Sequence, residues 1–381
     1  MIAAVAREER MRRLGSALGI CTGLALLLAA CANSPGMPKT AGHALAAPAA
    51  GKVLLPAEAA DWVRVERVAL AVFRGGRQLC GRHVAPTLGL AYANRESFNP
   101  ALQPAADGDL AFDEHLMVTR IVEGSPAAKA GLMIGDVLMS VGGRLAPSGP
   151  GAVEAFAGLV RALPAGGRPV PLAVERAGVA QQLAVTPELV CDFDVTVLAS
   201  DEINAFTNGR TIRVMSGLLG MVINDDELAL VLAHEVGHNV MNHLVQQKLQ
   251  AIGGGVVGTV LDIIAGANGV DTQGKFTRAG IEAGSRRHSV ARERQADYVG
   301  LYVMARAGFD IDVAPQLWRR MAALMPLAEK GLPTHPAPPE RMTAMAQTVA
   351  EIKTKQASGQ PLLPDQATLA RLGQDTPAAT N

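Results

Sequence analysis

The chain has 381 residues, of which 49% are hydrophobic and 18% are charged, and its formal net charge at pH 7 is zero. A chain of this length and composition can form two or three domains and bury a large core. The balanced charge and the absence of a basic stripe argue against nucleic-acid binding, so no nucleic-acid partner is expected.

Residues 1–30 have the composition of a targeting segment, in which arginines precede an apolar stretch rich in alanine, glycine and leucine. The stretch ends in Leu-Ala-Ala-Cys, which resembles a bacterial lipobox and implies that Cys31 is lipidated. The alternative is an anchor helix, since the stretch is nearly long enough to span a bilayer. Ala32 stands where an aspartate would retain the protein in the inner membrane. We therefore expect a lipid anchor in the outer membrane that faces the periplasm.

Residues 31–57 are rich in alanine, proline, glycine and serine, which predicts a flexible, lipidated tether. The chain has four cysteines. Cys21 leaves with the signal segment and Cys31 carries the lipid. The remaining even pair, Cys80 and Cys191, is predicted to form a disulfide, because the expected periplasmic compartment is oxidising. Two buried free thiols are the alternative.

Residues 80–191 contain short apolar runs separated by glycine, proline and aspartate, which is typical of a β-rich domain. The run Gly-Ser-Pro-Ala-Ala-Lys-Ala-Gly-Leu at 124–132, followed by Gly-Asp-Val-Leu at 135–138, resembles a bacterial PDZ domain. Leu88, Gly89 and Leu90 are similar to the PDZ loop whose backbone N–H groups receive a peptide C-terminus. The resemblance implies that peptide or protein C-termini are partners; a generic small β domain is the alternative.

Residues 58–79 are predicted to form a helix, because Val65, Val68 and Val72 recur at helical spacing. We expect this helix to belong to the domain that resumes after Cys191. The PDZ-like module is then an insertion in this domain, and the expected disulfide links the two ends of the module.

From residue 192 the pattern changes, and strands are predicted at 193–200 and 210–216. Extended peptides commonly bind as an added strand beside an exposed sheet edge, and 210–216 is the candidate edge for such binding. An ordinary core hairpin is the alternative.

A helix is predicted after Asn224, a plausible N-cap with Glu227 three residues later. His234 and His238 are four residues apart, so they lie on one face of this helix. Both imidazoles can bind a single ion, and Glu235 lies beside that ion, as in the HExxH pattern of zinc peptidases. A solvated helix face is the alternative for so short a pattern.

Zinc hydrolases use three protein ligands and leave one position for water, so a third ligand is required. A second helix is predicted from residue 289, and its Glu293 and Asp297 are four apart and face the same way. Glu293 can supply the third ligand, and Asp297 can accept a hydrogen bond from a ligand imidazole. Small residues at Ala296 and Gly300 permit close approach to the first helix.

Four motifs in this order resemble the HtpX/CAAX-prenyl-protease family of gluzincin metallopeptidases: Asn-Ala-Phe at 204–206, Gly-Leu-Leu at 217–219, His-Glu-Val-Gly-His at 234–238 and Glu-Arg-Gln-Ala-Asp at 293–297. The resemblance implies one Zn²⁺ held by His234, His238 and Glu293. It also implies that Glu235 is the general base and that Asp297 accepts a hydrogen bond from a ligand imidazole. The expected fold is α+β: a mainly helical zincin-type peptidase domain with a small sheet at 192–355, and the β-rich PDZ-like domain.

Two further histidines need assignment. Thr334-His335-Pro336, with Arg341, resembles a motif that follows the third ligand in this family. His335 is thus a candidate catalytic residue, either an oxyanion donor or a gating ligand, and a surface-loop histidine is the alternative. His243 is five residues past His238, and helical spacing predicts that it points away from the metal.

Two segments complete the chain. Residues 251–267 are apolar and glycine-rich, and they fit a buried helical hairpin, an interfacial segment or a lid. Residues 356–381 are polar and contain several prolines, which predicts a tail.

These features predict a lipid-anchored zinc endopeptidase of the bacterial cell envelope. Its expected substrates are misfolded or unassembled envelope proteins, and its PDZ-like module binds peptide or regulates access. The alternative is a non-enzymatic or latent PDZ-containing scaffold lipoprotein with a gated metal site. The intact Glu235 and the complete ligand set argue against that alternative.

Overall fold

The structure, a computed structural model, describes residues 56–98, 112–164, 167–267, 272–279, 289–324 and 339–373. Its α-helices are α1 Pro56–Gly76, α2 Pro126–Lys129, α3 Ala152–Arg161, α4 Ser216–Met221, α5 Asp225–Val240, α6 His243–Ala267, α7 Ser289–Arg306, α8 Ala314–Leu324, α9 Pro339–Ala357 and α10 Gln366–Leu372. Its strands are β1 Val84–Thr87, β2 Leu90–Ala93, β3 Met117–Ile121, β4 Val137–Val141, β5 Arg144–Leu145, β6 Val170–Arg176, β7 Val179–Val185, β8 Glu188–Cys191, β9 Asp194–Leu198, β10 Ala205–Thr207 and β11 Thr211–Met215. The α+β class is confirmed.

Helices α5 and α7 pack side by side at the centre of the larger core, and small residues allow this. A Cβ added at Gly300 on α7 would lie 2.9 Å from the Ala233 carbonyl oxygen on α5. A Cβ added at Gly237 would overlap the backbone of Ala296. Two backbones can come this close only where side chains are missing. The contact brings the polar faces of both helices together.

Helix α1 packs on both α5 and α7, and its apolar residues belong to the same core. It also holds the β-rich module, because Glu66 accepts hydrogen bonds from Arg120 of β3, the shortest at 2.7 Å. Glu66 is buried, so this ion pair fixes the module against the helix. The structure joins Cys80 and Cys191 by a disulfide, the pair expected from the cysteine count.

The β-rich module contains a sheet of order β2-β3-β4-β6-β7, with β5 paired to β4, and helix α3. Its core is separate from the helical one and is made of apolar residues that are almost fully buried, among them Leu116, Leu138, Phe156 and Leu172. A second small pairing, β1 with β8, brings the two ends of the module together beside the disulfide.

The small sheet beside α5 has the order β10-β11-β9. Strand β11 pairs antiparallel with β10 and parallel with β9. It is therefore the central strand, and the prediction that 210–216 forms the exposed edge is wrong. A local sequence pattern cannot show that β9 pairs with β11 from the far side. Within the described residues, β10 forms the edge nearest to α5.

Two C-terminal expectations change. Helix α6 exposes a long row of apolar side chains, so residues 251–267 do not form the buried helical hairpin that was one of the alternatives. The exposed fractions of these side chains are 46–65%, and the residues are Val245, Leu249, Ile252, Val256, Val257, Val260, Leu261, Ile263 and Ile264. Among the described residues, no helix combines the length and apolar character needed to cross a membrane.

The segment from residue 356, which was predicted to be a polar tail, includes helix α10. This helix begins at the N-cap Asp365 and buries Leu369 against α7.

Candidate metal centre

The first helix of the site, α5, begins as its capping pattern predicts. The Asn224 side chain accepts a hydrogen bond from the Glu227 backbone N–H at 2.9 Å. Arg64 and Arg67 of α1 bind the Asp225 carboxylate in the first turn. Acidic residues stabilise this positive helix end. The start of α5 is thus fixed, and with it the position of residues two to three turns later.

His234, His238 and Glu293 meet where α5 crosses α7. The two Nε2 atoms are 3.0 Å apart. The carboxylate oxygens of Glu293 lie 3.3 Å from His234 Nε2 and 3.2 Å from His238 Nε2. One ligand atom from each residue fits within a span of 4.8 Å. Two imidazoles and one carboxylate are the donor set of catalytic zinc sites, so the residues present fit a bound metal ion.

Glu235 is 2% exposed and lies on α5 between the two histidines. Together with Glu293 and Asp297 it gives the site three acidic side chains. Among the described residues, the fully buried Arg341 of α9 pairs with two of them, Glu293 and Asp297. Burial lowers the pKa of Arg341, but Asp297, Glu293 and Glu235 outweigh burial and raise it above its ordinary value. The local field is therefore negative, which favours a bound cation.

Asp297 orients His234. Its Oδ1 lies 2.8 Å from His234 Nδ1, which leaves Nε2 directed at the metal position. Arg341 donates to both carboxylate oxygens, through Nε at 2.5 Å and Nη2 at 2.8 Å. Burial raises the pKa of Asp297, but Arg341 and His234 bring it below its ordinary value. Burial lowers the pKa of His234, but Asp297 and Glu293 raise it to about 9.

His243 lies at the site, and the prediction that it points away is wrong. Its Nδ1 is 3.0 Å from His238 Nδ1. Helical spacing does not apply between these residues, because α5 ends at Val240 and Asn242 turns the chain with φ 54°. Asparagine favours that left-handed conformation, and this was the available signal. Burial lowers the pKa of His243 to about 4, although the hydrogen bond with Gln295 acts to raise it.

Trp318 of α8 is a further residue that the sequence did not identify. Its ring centroid is 5.4 Å from that of His234. The guanidinium of Arg341 lies over the same ring, 4.0 Å from its centroid. The indole thus walls the site and holds Arg341 in place. No local motif marks this tryptophan, because its helix reaches the site through tertiary packing.

His335 and Cys31 are outside the described residues. Leu88, Gly89 and Leu90 are buried, and the Gly89 N–H already donates to Thr87 Oγ1 at 3.1 Å. Leu70 of α1 lies against the loop. A role for this loop in peptide binding stays a proposal.

Comparison with known proteins matches residues 174–349 to peptidase family M48 and residues 117–176 to the PDZ domain. The chain is 31% identical over 161 residues to a putative beta-barrel assembly-enhancing protease of Vibrio cholerae, covering 40% of this chain and 33% of that protein. It is 31% identical over 153 residues to mitochondrial metalloendopeptidase OMA1 of Saccharomyces cerevisiae, covering 38% and 42%. Both resemblances stated from the sequence are confirmed.

Among solved structures, an HtrA-type protease AlgW with decapeptide is 22% identical, with a TM-score of 0.23 and coverage of 28% of this chain and 30% of that chain. The chain spans about a third of the length of the assembly-enhancing protease and about two fifths of the length of the mitochondrial enzyme.

Proposed function

We propose that this chain, whose residues 174–349 match peptidase family M48, is a zinc-dependent endopeptidase of the bacterial cell envelope. One observation carries the proposal. His234, His238 and Glu293 place three ligand atoms within 4.8 Å of one another, on two helices whose backbones touch. Glu235 is buried on the same helix as both histidines.

The chemistry follows from these residues. The two histidines and Glu293 would hold a zinc ion, which would act as a Lewis acid and lower the pKa of a bound water to about 7. Glu235 accepts a proton from the attacking water and delivers it to the leaving amine. Asp297 holds the His234 ring in the tautomer that leaves Nε2 free. The walls of the site, including Trp318, exclude bulk water and strengthen these interactions.

The substrate backbone is proposed to add as a strand beside β10. This edge lies against α5, and Thr207 Oγ1 donates to Asn239 Oδ1 at 2.8 Å, one residue after the ligand His238. A peptide paired with β10 runs past the metal position. Main-chain pairing selects extended chains rather than particular side chains, which suits unfolded or unassembled proteins as substrates.

We further propose the location and organisation expected from the sequence. The lipobox-like segment at Cys31 and the disulfide suit a lipid-anchored protein that faces the periplasm. Residues 58–79 and 192–355 are proposed to form the peptidase domain, with the PDZ-like module at 80–191 inserted between them. The module is proposed to bind C-termini or to control access to the metal.

Metal content and a single acid substitution test the proposal. Purified protein should contain one zinc per chain, and His234→Ala should contain none. Glu235→Gln should keep its zinc but degrade an unfolded reporter polypeptide about 100- to 10,000-fold more slowly. Glu202→Gln, at an exposed position, is the matched control and should retain activity. Zinc binding without any cleavage by the wild-type protein would favour the latent scaffold instead.

A further inference from the structure

A chain of hydrogen-bonding groups leads from the ligand His238 to the last helix of the described chain. His238 Nδ1 lies 3.0 Å from His243 Nδ1. His243 Nε2 lies 3.1 Å from Gln295 Oε1. Gln295 Nε2 donates to the Leu369 carbonyl oxygen of α10 at 3.0 Å. His243 is 3% exposed, so little water reaches its ring nitrogens.

The direction of each hydrogen bond can be derived from its end points. Gln295 donates through Nε2 to Leu369, so its Oε1 faces His243 as an acceptor. A neutral His243 ring then carries its single proton on Nε2, which leaves Nδ1 as an acceptor. His238 in turn carries its proton on Nδ1 and donates it to His243. This tautomer frees the Nε2 lone pair of His238, the atom that faces Glu293 and His234.

We propose that His243 is a positioning residue for the metal: it fixes the ring plane and the tautomer of the ligand His238, with Gln295 fixing His243. The inference rests on the proposed zinc site. Each ligand imidazole then has its own support, Asp297 for His234 and His243 for His238. The two supports differ in charge, since one is a carboxylate and the other a neutral ring.

The size of the effect follows from that difference. Loss of an outer partner of a ligand imidazole typically weakens metal binding by about 10- to 100-fold. A neutral acceptor increases ligand basicity less than a carboxylate does, so about tenfold is expected for His243. The stability of the metal-free protein should change little when His243 is substituted, provided that the new side chain fills the same space.

Two substitutions separate positioning from packing. His243→Phe keeps the ring volume and removes the acceptor. His243→Asn keeps an acceptor oxygen close to the Nδ1 position and gives up ring volume. His115→Phe is the matched control, because His115 is an exposed histidine of the PDZ-like module whose hydrogen-bond partner is Asp113.

The test uses the full purified chain and zinc alone. Zinc affinity is measured by competition with a chelating dye, the visible spectrum of Co²⁺-substituted protein reports ligand geometry, and thermal melting is recorded on chelator-treated protein. His243→Phe should bind zinc about tenfold more weakly and shift the Co²⁺ bands. His243→Asn should recover most of the affinity, and His115→Phe should match the wild type.

Three results would overturn the inference. Wild-type affinity and Co²⁺ bands in His243→Phe would show that the contact does not position His238. Equal losses in both His243 variants, together with lower melting of the chelator-treated proteins, would show a packing role. A wild-type chain that binds no zinc would instead refute the proposed metal site, and this inference with it.

Discussion

The peptidase part and the PDZ-like module each contain a buried aspartate held by the fork of one arginine. Arg341 binds Asp297 through Nε at 2.5 Å and Nη2 at 2.8 Å. Arg176 binds Asp136 through Nε at 2.6 Å and Nη2 at 2.7 Å. The two forks are alike in geometry. They differ in the third group that each aspartate binds: His234 Nδ1 in one case and the Met133 backbone N–H in the other.

That third partner decides what the pair does. Asp136 closes the turn before β4, and Arg176 also donates to the Gly131 carbonyl oxygen, so this pair ties backbone segments together. Asp297 holds a metal ligand, and Arg341 also reaches Glu293, at 3.1 Å from Nη1 to Oε2. The same bidentate interaction therefore supports a turn in one region and a reactive site in the other.

The largest expected effect is that of Arg341→Met. Arg341 is fully buried, so its loss removes the guanidinium that pairs with the carboxylates of Asp297 and Glu293. Breaking such a pair costs about 3–5 kcal/mol. Urea unfolding of the variant should show this loss. Arg176→Met should cost less, because the Arg176 side chain is 23% exposed and its ion pair with the buried Asp136 lies nearer to water than the Arg341 pair does. Equal losses would contradict the contrast between the two regions.

Glycine-to-alanine substitutions test how tightly the backbone is packed in the peptidase part and in the PDZ-like module. Gly300→Ala places a Cβ 2.9 Å from the Ala233 carbonyl oxygen and 3.0 Å from the His234 backbone nitrogen. Overpacking of this kind costs about 1–3 kcal/mol, and the displacement of α5 should also reduce peptidase activity. Gly158→Ala in α3 meets no atom within 4 Å and should stabilise the protein by up to about 1 kcal/mol. Melting temperatures of the two variants should move in opposite directions.

Asparagine substitutions then compare the two aspartates directly. Asp297→Asn removes the charged acceptor of His234 and should weaken zinc binding by about 10- to 100-fold. Asp136→Asn should leave zinc affinity unchanged, since no contact joins it to the ligands in the described part of the chain. Competition with a chelating dye measures both. Zinc affinity that falls in Asp136→Asn and not in Asp297→Asn would show that the roles are assigned wrongly.

The site was predictable where the argument stayed within one helix. His234 and His238 share a face because they are four residues apart in an uninterrupted helix, and the capping residue Asn224 marks its start. His243 was missed because the helix ends between it and His238. Trp318 was missed because its contact with His234 comes from the packing of separate helices, which no spacing rule describes.

Predictions of the fold also failed where they depended on contacts between distant elements. The N-cap signal Asp365, with Thr368 three residues later, was present in the sequence but outweighed by the polar composition around it. The central position of β11 depends on its parallel pairing with β9, which connects residues far apart in the chain. The burial of Gly89 under Leu70 likewise joins two regions whose patterns were interpreted separately. Local patterns predicted the elements, and pairing between distant elements decided their surroundings.

The smallest expected effect is a pH dependence in the PDZ-like module. Burial raises the pKa of Asp136, but the hydrogen bonds and charge of Arg176 and the Met133 N–H bring it below its ordinary value. The unfolded chain therefore binds a proton at about pH 3.9, above the folded-state pKa. Stability from the pair is complete above that pH and is lost as pH falls through the folded-state pKa. The difference in unfolding free energy between wild type and Asp136→Asn should be constant near neutral pH and shrink below about pH 4. A difference that persists unchanged to pH 3 would mean that the charge of Asp136 contributes nothing and that the turn depends on its shape alone.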